Sequence, residues 1–372
     1  MDKKNFITFV DLGTTGVRAC SFNIETEKIE SNFDLPIKNE DLNNLTGKDK
    51  IIEKLVFNIE KKNGEYLNEI YLMIDDLNVL PITITNFKKN DGQISESELS
   101  KYLTDEVKYQ ISKNYSKYEV VHVVAKNYIL DEKKFFNLPK DLHYSKFSIE
   151  FLFILYPKSF LEKIKQIFAE QNVSIKKIIF SSYSKSLFYL NQINSEEKVI
   201  FVDIGYEKTC AFLFNNKKID GFKILPIGGN HITKDISKIL KVDNDEAEDI
   251  KLNFDNIDYY KDKKSEDLEL IKKIIFSRIE ELLEISTLFA QVNDGLENVK
   301  LVFFGNGSKV LDNKFKSNII FNHDIDLLDE NYKDTCLSGF NFINSKNELD
   351  IDKIDKKELK KGFFERFFHL FN

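Results

Sequence analysis

The sequence predicts an α/β protein of two related lobes that face one cleft. Three observations predict it. Phe6–Val10 reads as a strand, Asp11-Leu12-Gly13-Thr14-Thr15-Gly16 as a polar turn containing glycine, and Val17–Phe22 as a second strand. The same succession returns far along the chain. Val199–Val202 ends on Asp203, Gly205 permits a tight turn, and Cys210–Phe214 follows. Further glycine breaks stand at Gly228-Gly229 and at Gly305-Asn306-Gly307. One Asp-x-Gly is an ordinary strand-end turn. Two copies together with these glycines point to a shared nucleotide cleft, because a strand-end carboxylate can sit near a bound cation while glycine lets backbone N–H groups approach phosphate oxygens.

Length and composition bound the reading. A chain of 372 residues, 42% of them hydrophobic, can fold as two or more domains with substantial cores. It holds 33 Phe and 15 Tyr but 2 Met and no Trp, a bias that leaves single Asn and Lys residues with little meaning. A formal net charge of −7 argues against a general nucleic-acid binder. Cys20, Cys210 and Cys336 are scattered without metal-ligand spacing and read as buried thiols in a reducing cytosol. Met1–Asn5 leads straight into a strand, so no signal peptide is expected. No apolar run approaches the roughly 20 residues of a membrane-spanning helix. His122, His143 and His323 stand isolated, and no Ser/His/Asp triad follows a nucleophile-elbow pattern.

The elements follow in order. Residues 1–83 read as strands and turns with one amphipathic helix over Asp49–Lys61, and Tyr66–Ile74 as a strand. Residues 84–159 form a compact α+β insert. Its helix spans Glu96–Ser112 behind a Ser95-x-x-Glu98 capping pattern, and its strands are Val120–Leu130 and Lys146–Leu155. Helices over Ser159–Gln171 and Ser182–Asn191 complete the first lobe, 1–83 with 160–195. The second lobe takes 196–343, with a small subdomain at about 232–294. Asn230 is a good N-cap for the helix after Gly229, another helix begins near Asp243, and Leu268–Phe289 is long and amphipathic. Leu301–Phe304 is a buried strand, and Asn331–Ile343 the last helix of the lobe. Residues 344–355 are charged, without a core pattern, and read as a linker.

These pieces resemble the actin-like ATPase superfamily and, within it, the FtsA family of bacterial cell-division proteins. DLGTTGVRA at Asp11–Ala19 resembles the first phosphate motif and VDIG at Val202–Gly205 the second. PIGGNHITKDI at Pro226–Ile236, followed by EAEDIK at Glu246–Lys251, is the most specific part. SRIEELLEI at Ser277–Ile285, FFGNGS at Phe303–Ser308 and EVVHVVAKNYILD at Glu119–Asp131 are similar to further family segments. The resemblance implies a two-lobed actin-like (ribonuclease H-like) fold with the family's inserted subdomain. It also implies ATP and Mg2+ as ligands. Asp11 and Asp203 would face the metal, through water, from opposite halves. Gly13, Thr14, Thr15 and Gly205 would wrap the phosphates, with Arg18 pointing back toward them. Gly228, Gly229, Asn230, Glu248 and Lys251 would lie on the nucleoside side, and Gly305, Gly307 and Ser308 would line the adenosine pocket. Implied partners are the tail of the ring protein FtsZ, further copies of the chain in a head-to-tail filament, and later membrane proteins of the division site. Lys251, Lys272 and Lys273 are candidates for meeting the acidic tail.

The turn Gly205-Tyr206-Glu207-Lys208-Thr209 departs from the family's glycine- and threonine-rich pattern, which predicts hydrolysis at or near background. The tail has its own signature. Phe363, Phe364, Phe367, Phe368, Leu370 and Phe371 fall on one face of a helix over 356–372. Arg366 stands opposite, and Lys360 and Lys361 lie just before. Such a helix behind a solvated linker suits an interfacial anchor on the cytoplasmic membrane. The expected role is to tether the division ring to that membrane. An actin-like pilus-assembly scaffold is the alternative, and it would lack this tail.

Overall fold

The computed structural model describes residues 5–37, 45–89, 96–137, 144–193, 198–254, 265–294, 299–311 and 324–345. In chain order these form β1 (Phe6–Leu12), β2 (Gly16–Asn23), β3 (Ile29–Pro36), α1 (Leu45–Asn63) and β4 (Glu69–Ile74). Next come β5 (Leu80–Lys89), α2 (Glu96–Asn114), β6 (Tyr118–Leu130), β7 (Lys133–Phe135) and β8 (Lys146–Pro157). Then follow α3 (Lys158–Glu170), β9 (Ser174–Phe180) and α4 (Ser181–Ile193). The second half holds β10 (Val199–Ile204), β11 (Thr209–Asn215), β12 (Lys218–Leu225), α5 (Gly229–Leu240), α6 (Asn244–Leu252) and α7 (Ser265–Asp294). It ends with β13 (Lys300–Phe304), a 3-10 turn (Asn306–Val310), β14 (Asp324–Leu327) and α8 (Tyr332–Asn344). Residues 346–372, which include most of the expected linker and all of the residues expected to meet a membrane, lie outside the described residues.

Two sheets share one topology. The first runs β3-β2-β1-β4-β9 and the second β12-β11-β10-β13-β14. In each, an antiparallel meander is followed by two parallel strands. The register is equivalent as well. Asp11 pairs with Arg18 on β2 and Met73 on β4, and Asp203 with Cys210 on β11 and Phe304 on β13. The duplicated Asp-x-Gly pattern is thus a duplicated sheet, and it places both carboxylates at the ends of the central strands.

β10 is buried along its whole length, as expected of a strand covered on both faces. Phe201, Phe212, Phe214 and Phe304 pack inward with α4 and the first sheet, whereas Ile200, Val202 and Ile204 pack outward beneath α5, α6 and α7. The phenylalanine bias is spent here. Phe212 stacks on Phe222 with centroids 4.3 Å apart, and Phe180 tilts against both.

Two elements sit elsewhere than the sequence predicts. Residues 332–344, expected in the second lobe, form α8 against the first sheet, where Cys336 and Phe342 join the core and Phe340 stacks on Phe22 at 4.5 Å. A Cβ on Gly339 would stand 2.6 Å from the Met73 sulfur and 2.9 Å from the Phe9 ring, so glycine permits this approach. The apolar stripe of α8 finds the first sheet because α4 already lies between the sheets, and the two helices pack side by side. The insert also begins earlier than expected: β5 starts at Leu80 and pairs with β8 in a sheet ordered β5-β8-β6-β7. Helix α2 covers one face of that sheet through Leu103, Val107 and Ile111. Val121, Val124, Leu152 and Ile154 on its other face join the core of the first lobe.

Candidate functional site

The ends of β1, β4 and β10 meet at the floor of a cavity of about 1130 Å³. Small-molecule sites typically span about 300–1,000 Å³, so a nucleotide has ample room. Of the sequence-predicted residues, Asp11, Gly13, Thr14, Thr15, Arg18, Asp203, Gly205, Gly229, Asn230, Glu248, Lys251 and Gly307 line it. Gly228, Gly305 and Ser308 do not. Gly228 lies under the β10–β11 turn, where an added Cβ would come within 2.7 Å of Gly205 O and Lys208 N. Gly305 has φ 92°, a left-handed conformation that favours glycine, and lies against Asp203 and Ile204. The Ser308 hydroxyl donates to Gly305 O at 2.7 Å and braces that turn. These three hold the walls together.

The two turns differ in what they offer an anion. In the first, Gly13 N donates to Gly16 O at 3.0 Å, which leaves Thr14 and Thr15 at the cavity wall. In the second, the carbonyls of Gly205 and Tyr206 accept from Gly229 N at 2.9 Å and Asn230 N at 2.8 Å. Those N–H groups at the start of α5 are therefore spent on the protein. Gly228, and not Asn230, is the N-cap of α5, and its N–H donates to His231 Nδ1 at 3.1 Å. Lys251 is buried as well, and donates to Glu248 at 2.7 Å, Thr233 at 2.9 Å and Gly229 O at 3.2 Å. It supports the α5–α6 wall and cannot reach an external acidic peptide, whereas Lys273 on α7 is exposed.

The floor is a continuous network of charges. Asp11 accepts from Arg18 Nη1 at 3.1 Å and from the Ser181 hydroxyl at 2.8 Å. Asp203 accepts from Lys185 Nζ at 2.8 Å and from the Ser182 hydroxyl at 2.7 Å. Ser182 also contacts Asp75, which pairs with Lys208 of the second turn. Lys185 reaches Glu330 at 3.1 Å, and Glu330 accepts from Thr335 at 3.0 Å. Burial pushes Asp203 up to about 6 against the pull of Lys185, with Glu330 and Asp75 adding to the rise. Asp11 moves the same way for the same first cause, opposed by Arg18 and Lys185. Burial works against the charge of Lys185 and of Lys208, but their carboxylate partners outweigh it and both shift upward.

Asp75, Ser181, Ser182, Lys185 and Glu330 were not singled out from the sequence. Asp75 carried a signal, since Tyr71–Ile74 is a third apolar strand ending on Asp. Lys185 and Glu330 carried none, because they meet only when α4 and the chain before α8 come together. Lys208 carries a charge that could attract a phosphate; its side chain instead pairs with Asp75, and the residue is 4% exposed.

The expected magnesium ion, through its waters, would meet Asp11 and Asp203 beside the partners they already hold. Among the described residues no cluster of three or more His, Cys, Asp or Glu is placed to hold a metal.

The family profile of the cell division protein FtsA matches residues 200–285, the stretch from β10 into α7. FtsA of Streptococcus pneumoniae serotype 2 (strain D39) is 22% identical over 313 residues, covering 81% of this chain and 67% of its own length. FtsA of Bacillus subtilis (strain 168) is 27% identical over 184 residues, covering 45% of this chain and 41% of its own length. The chain is similar to FtsA proteins and has the actin-like fold. Solved structures agree on that fold at low identity. The PilM-PilN type IV pilus biogenesis complex matches with TM-score 0.64 and 12% identity over 88% of this chain and 89% of its own. MreB 5 of Spiroplasma citri bound to AMPPNP matches with TM-score 0.50 and 11% identity over 92% and 97%. Among the described residues no helix is long and apolar enough to cross a membrane.

Proposed function

We propose that this chain is a nucleotide-binding adaptor of the cell-division machinery, which tethers an FtsZ ring to the inner face of the cytoplasmic membrane. The observation that carries the nucleotide part is the register equivalence of Asp11 and Asp203, at the ends of matching strands and at one cavity floor. ATP is the ligand that fits, its phosphates against Thr14 and Thr15. Arg18 and Lys185 balance the two carboxylates beside them. The second turn brings Tyr206 and Glu207 to the cavity in place of the glycines and threonines expected there, and the N–H groups of Gly229 and Asn230 are spent on that turn. The reading is therefore a structural, polymerisation-linked ligand with hydrolysis at or near background.

The division part rests on the FtsA relatives. Head-to-tail association would multiply weak contacts of each copy with FtsZ and with the membrane, so avidity does what one anchor cannot. The anchor would be the tail, through Phe363, Phe364, Phe367, Phe368, Leu370 and Phe371 with Lys360, Lys361 and Arg366. Recruitment of later division proteins belongs to the same reading. A second reading, a pilus-assembly scaffold, is favoured by the likeness to the PilM-PilN complex. Co-sedimentation of the full chain with FtsZ filaments and with vesicles of anionic lipid separates the two. Pelleting with FtsZ supports the division reading, and failure to pellet with a competent FtsZ overturns it.

A further inference from the structure

We infer that the turn between β10 and β11 is a strap across the cleft. Lys208 ties it to the first lobe, so that the chain's own charges hold the lobes closed and a ligand meets a cleft already closed. This goes beyond the nucleotide reading, because the strap acts whatever the cleft takes.

The strap is anchored at both ends. On the second lobe, Gly205 N donates to Lys208 O at 2.9 Å, and the carbonyls of Gly205 and Tyr206 accept from the start of α5. Gly228 fits beneath, where an added Cβ would collide with the turn. On the first lobe, Asp75 directly follows β4 and contacts Ser182 of α4. Lys208 spans the gap: its ammonium pairs with Asp75 and also donates to Cys210 Sγ at 3.3 Å. Its neighbour Glu207 lines the cavity and faces the first lobe as well. Burial pushes the ammonium of Lys48, near the start of α1, downward, and Asp76 and Glu207 oppose that push. Two adjacent residues of opposite sign thus meet opposite charges on the first lobe. Glycine at either position could make neither contact.

Under the strap lies a pivot. Phe180 of β9 packs against Phe212 and Phe222 of the second sheet, with centroids 6.2 and 5.6 Å away, and Lys208 stands 4.8 Å from the Phe180 centroid. Ser182 and Lys185 reach Asp203 from α4, which belongs to that base. The apolar seam remains when the charge of Lys208 is removed, so the lobes can rotate about it without parting. Lys134 of β7 also ties the insert to Asp220 of β12 at 3.1 Å, but its side chain is 47% exposed, and water weakens such a pair. The side chains of Lys208 and Asp75 are 5% and 20% exposed, and breaking a shielded pair strands a charge.

The test is a pair of spin labels on the full chain, at Glu53→Cys on α1 and Lys238→Cys on α5. Both positions are exposed, while Cys20, Cys210 and Cys336 are buried and stay unlabelled. Pulsed dipolar spectroscopy then reads the distance between the lobes. The chain freed of nucleotide should give one narrow distance distribution, which added ATP leaves in place. Lys208→Met should raise the share of molecules at longer distance at least about tenfold. Where that variant fails a melting control, Asp75→Asn carries the same expectation from the first lobe. A broad wild-type distribution that shortens with ATP overturns the inference and leaves the nucleotide reading standing. A folded variant that keeps the wild-type distribution overturns it too. Calorimetry without any heat of ATP binding overturns the nucleotide reading alone, and the comparison of wild type with the variants still decides the strap.

Discussion

Replacing Lys208 with methionine tests whether the two halves of the floor are joined by charge. The side chain is 5% exposed, pairs with Asp75 across the cleft, and lies 4.8 Å from the Phe180 ring centroid. Methionine keeps most of the stem's packing and removes the charge. Asp75 would then depend on the Cys210 thiol at 4.0 Å and on Ser182, whose single hydroxyl proton is shared between Asp75 and Asp203. Removing one partner of a buried ion pair costs about 3–5 kcal/mol. Asp75 is 20% exposed toward the cavity, so water recovers part of that and the low end, about 3 kcal/mol, is expected. At about 2 °C per kcal/mol for a chain of this size, the melting temperature should fall by roughly 6 °C. The assay is scanning calorimetry beside urea unfolding of wild type, Lys208→Met, Asp75→Asn and the double variant. The double variant should recover about half of the summed loss, because no unpaired charge remains. A single variant within about 0.5 kcal/mol of wild type, or strict additivity in the double, would refute the argument.

Gly305→Ala forces a left-handed residue and puts a methyl 2.6 Å from Ile204 O, so it should cost at least about 2 kcal/mol and weaken ATP binding; urea midpoints and calorimetry check both. Asp203 has its carboxyl raised from 3.8 to about 6, so its contribution to stability is fully present below pH 3.8 and is lost as pH rises through 6. The melting temperature of wild type minus that of Asp203→Asn should therefore grow as pH is lowered from about 7 to about 4, and a flat difference would contradict the shift. Phosphate release from ATP should stay far below about 1 per second, the low end for ordinary enzymes, in a coupled assay. In the tail, Phe364→Glu with Phe368→Glu should abolish flotation on anionic liposomes without lowering the melting point; unchanged flotation would rule out the anchor.

Much of this architecture is legible in the sequence, and the reason is local. A buried strand must be an apolar run, and a strand that turns at once into a hairpin needs glycine and polar residues. Phe6–Gly16 and Val199–Gly205 therefore announced matching strand ends, and the cavity contains both aspartates. Amphipathic helices and the helix start near Asp243 are likewise properties of a few neighbouring residues; that the Asp243 side chain caps it, accepting from Glu246 N at 2.8 Å, came with the structure. What could not be read depends on which distant surfaces meet. Helix α8 carries an apolar stripe that suits either lobe, and only the shape beside α4 gives it to the first sheet, with Gly339 over Met73. Lys185, Glu330 and Asp75 are ordinary charged residues in sequence, and their pairing exists because α4, the chain before α8 and the end of β4 converge on Asp203. The same convergence gave Lys208 to Asp75 and gave Asp11 and Asp203 partners of their own. An apolar pattern records that a residue is buried, but the partner of a buried charge is chosen by three-dimensional packing, because a charge is stable in the interior only where the fold brings its counter-charge to it.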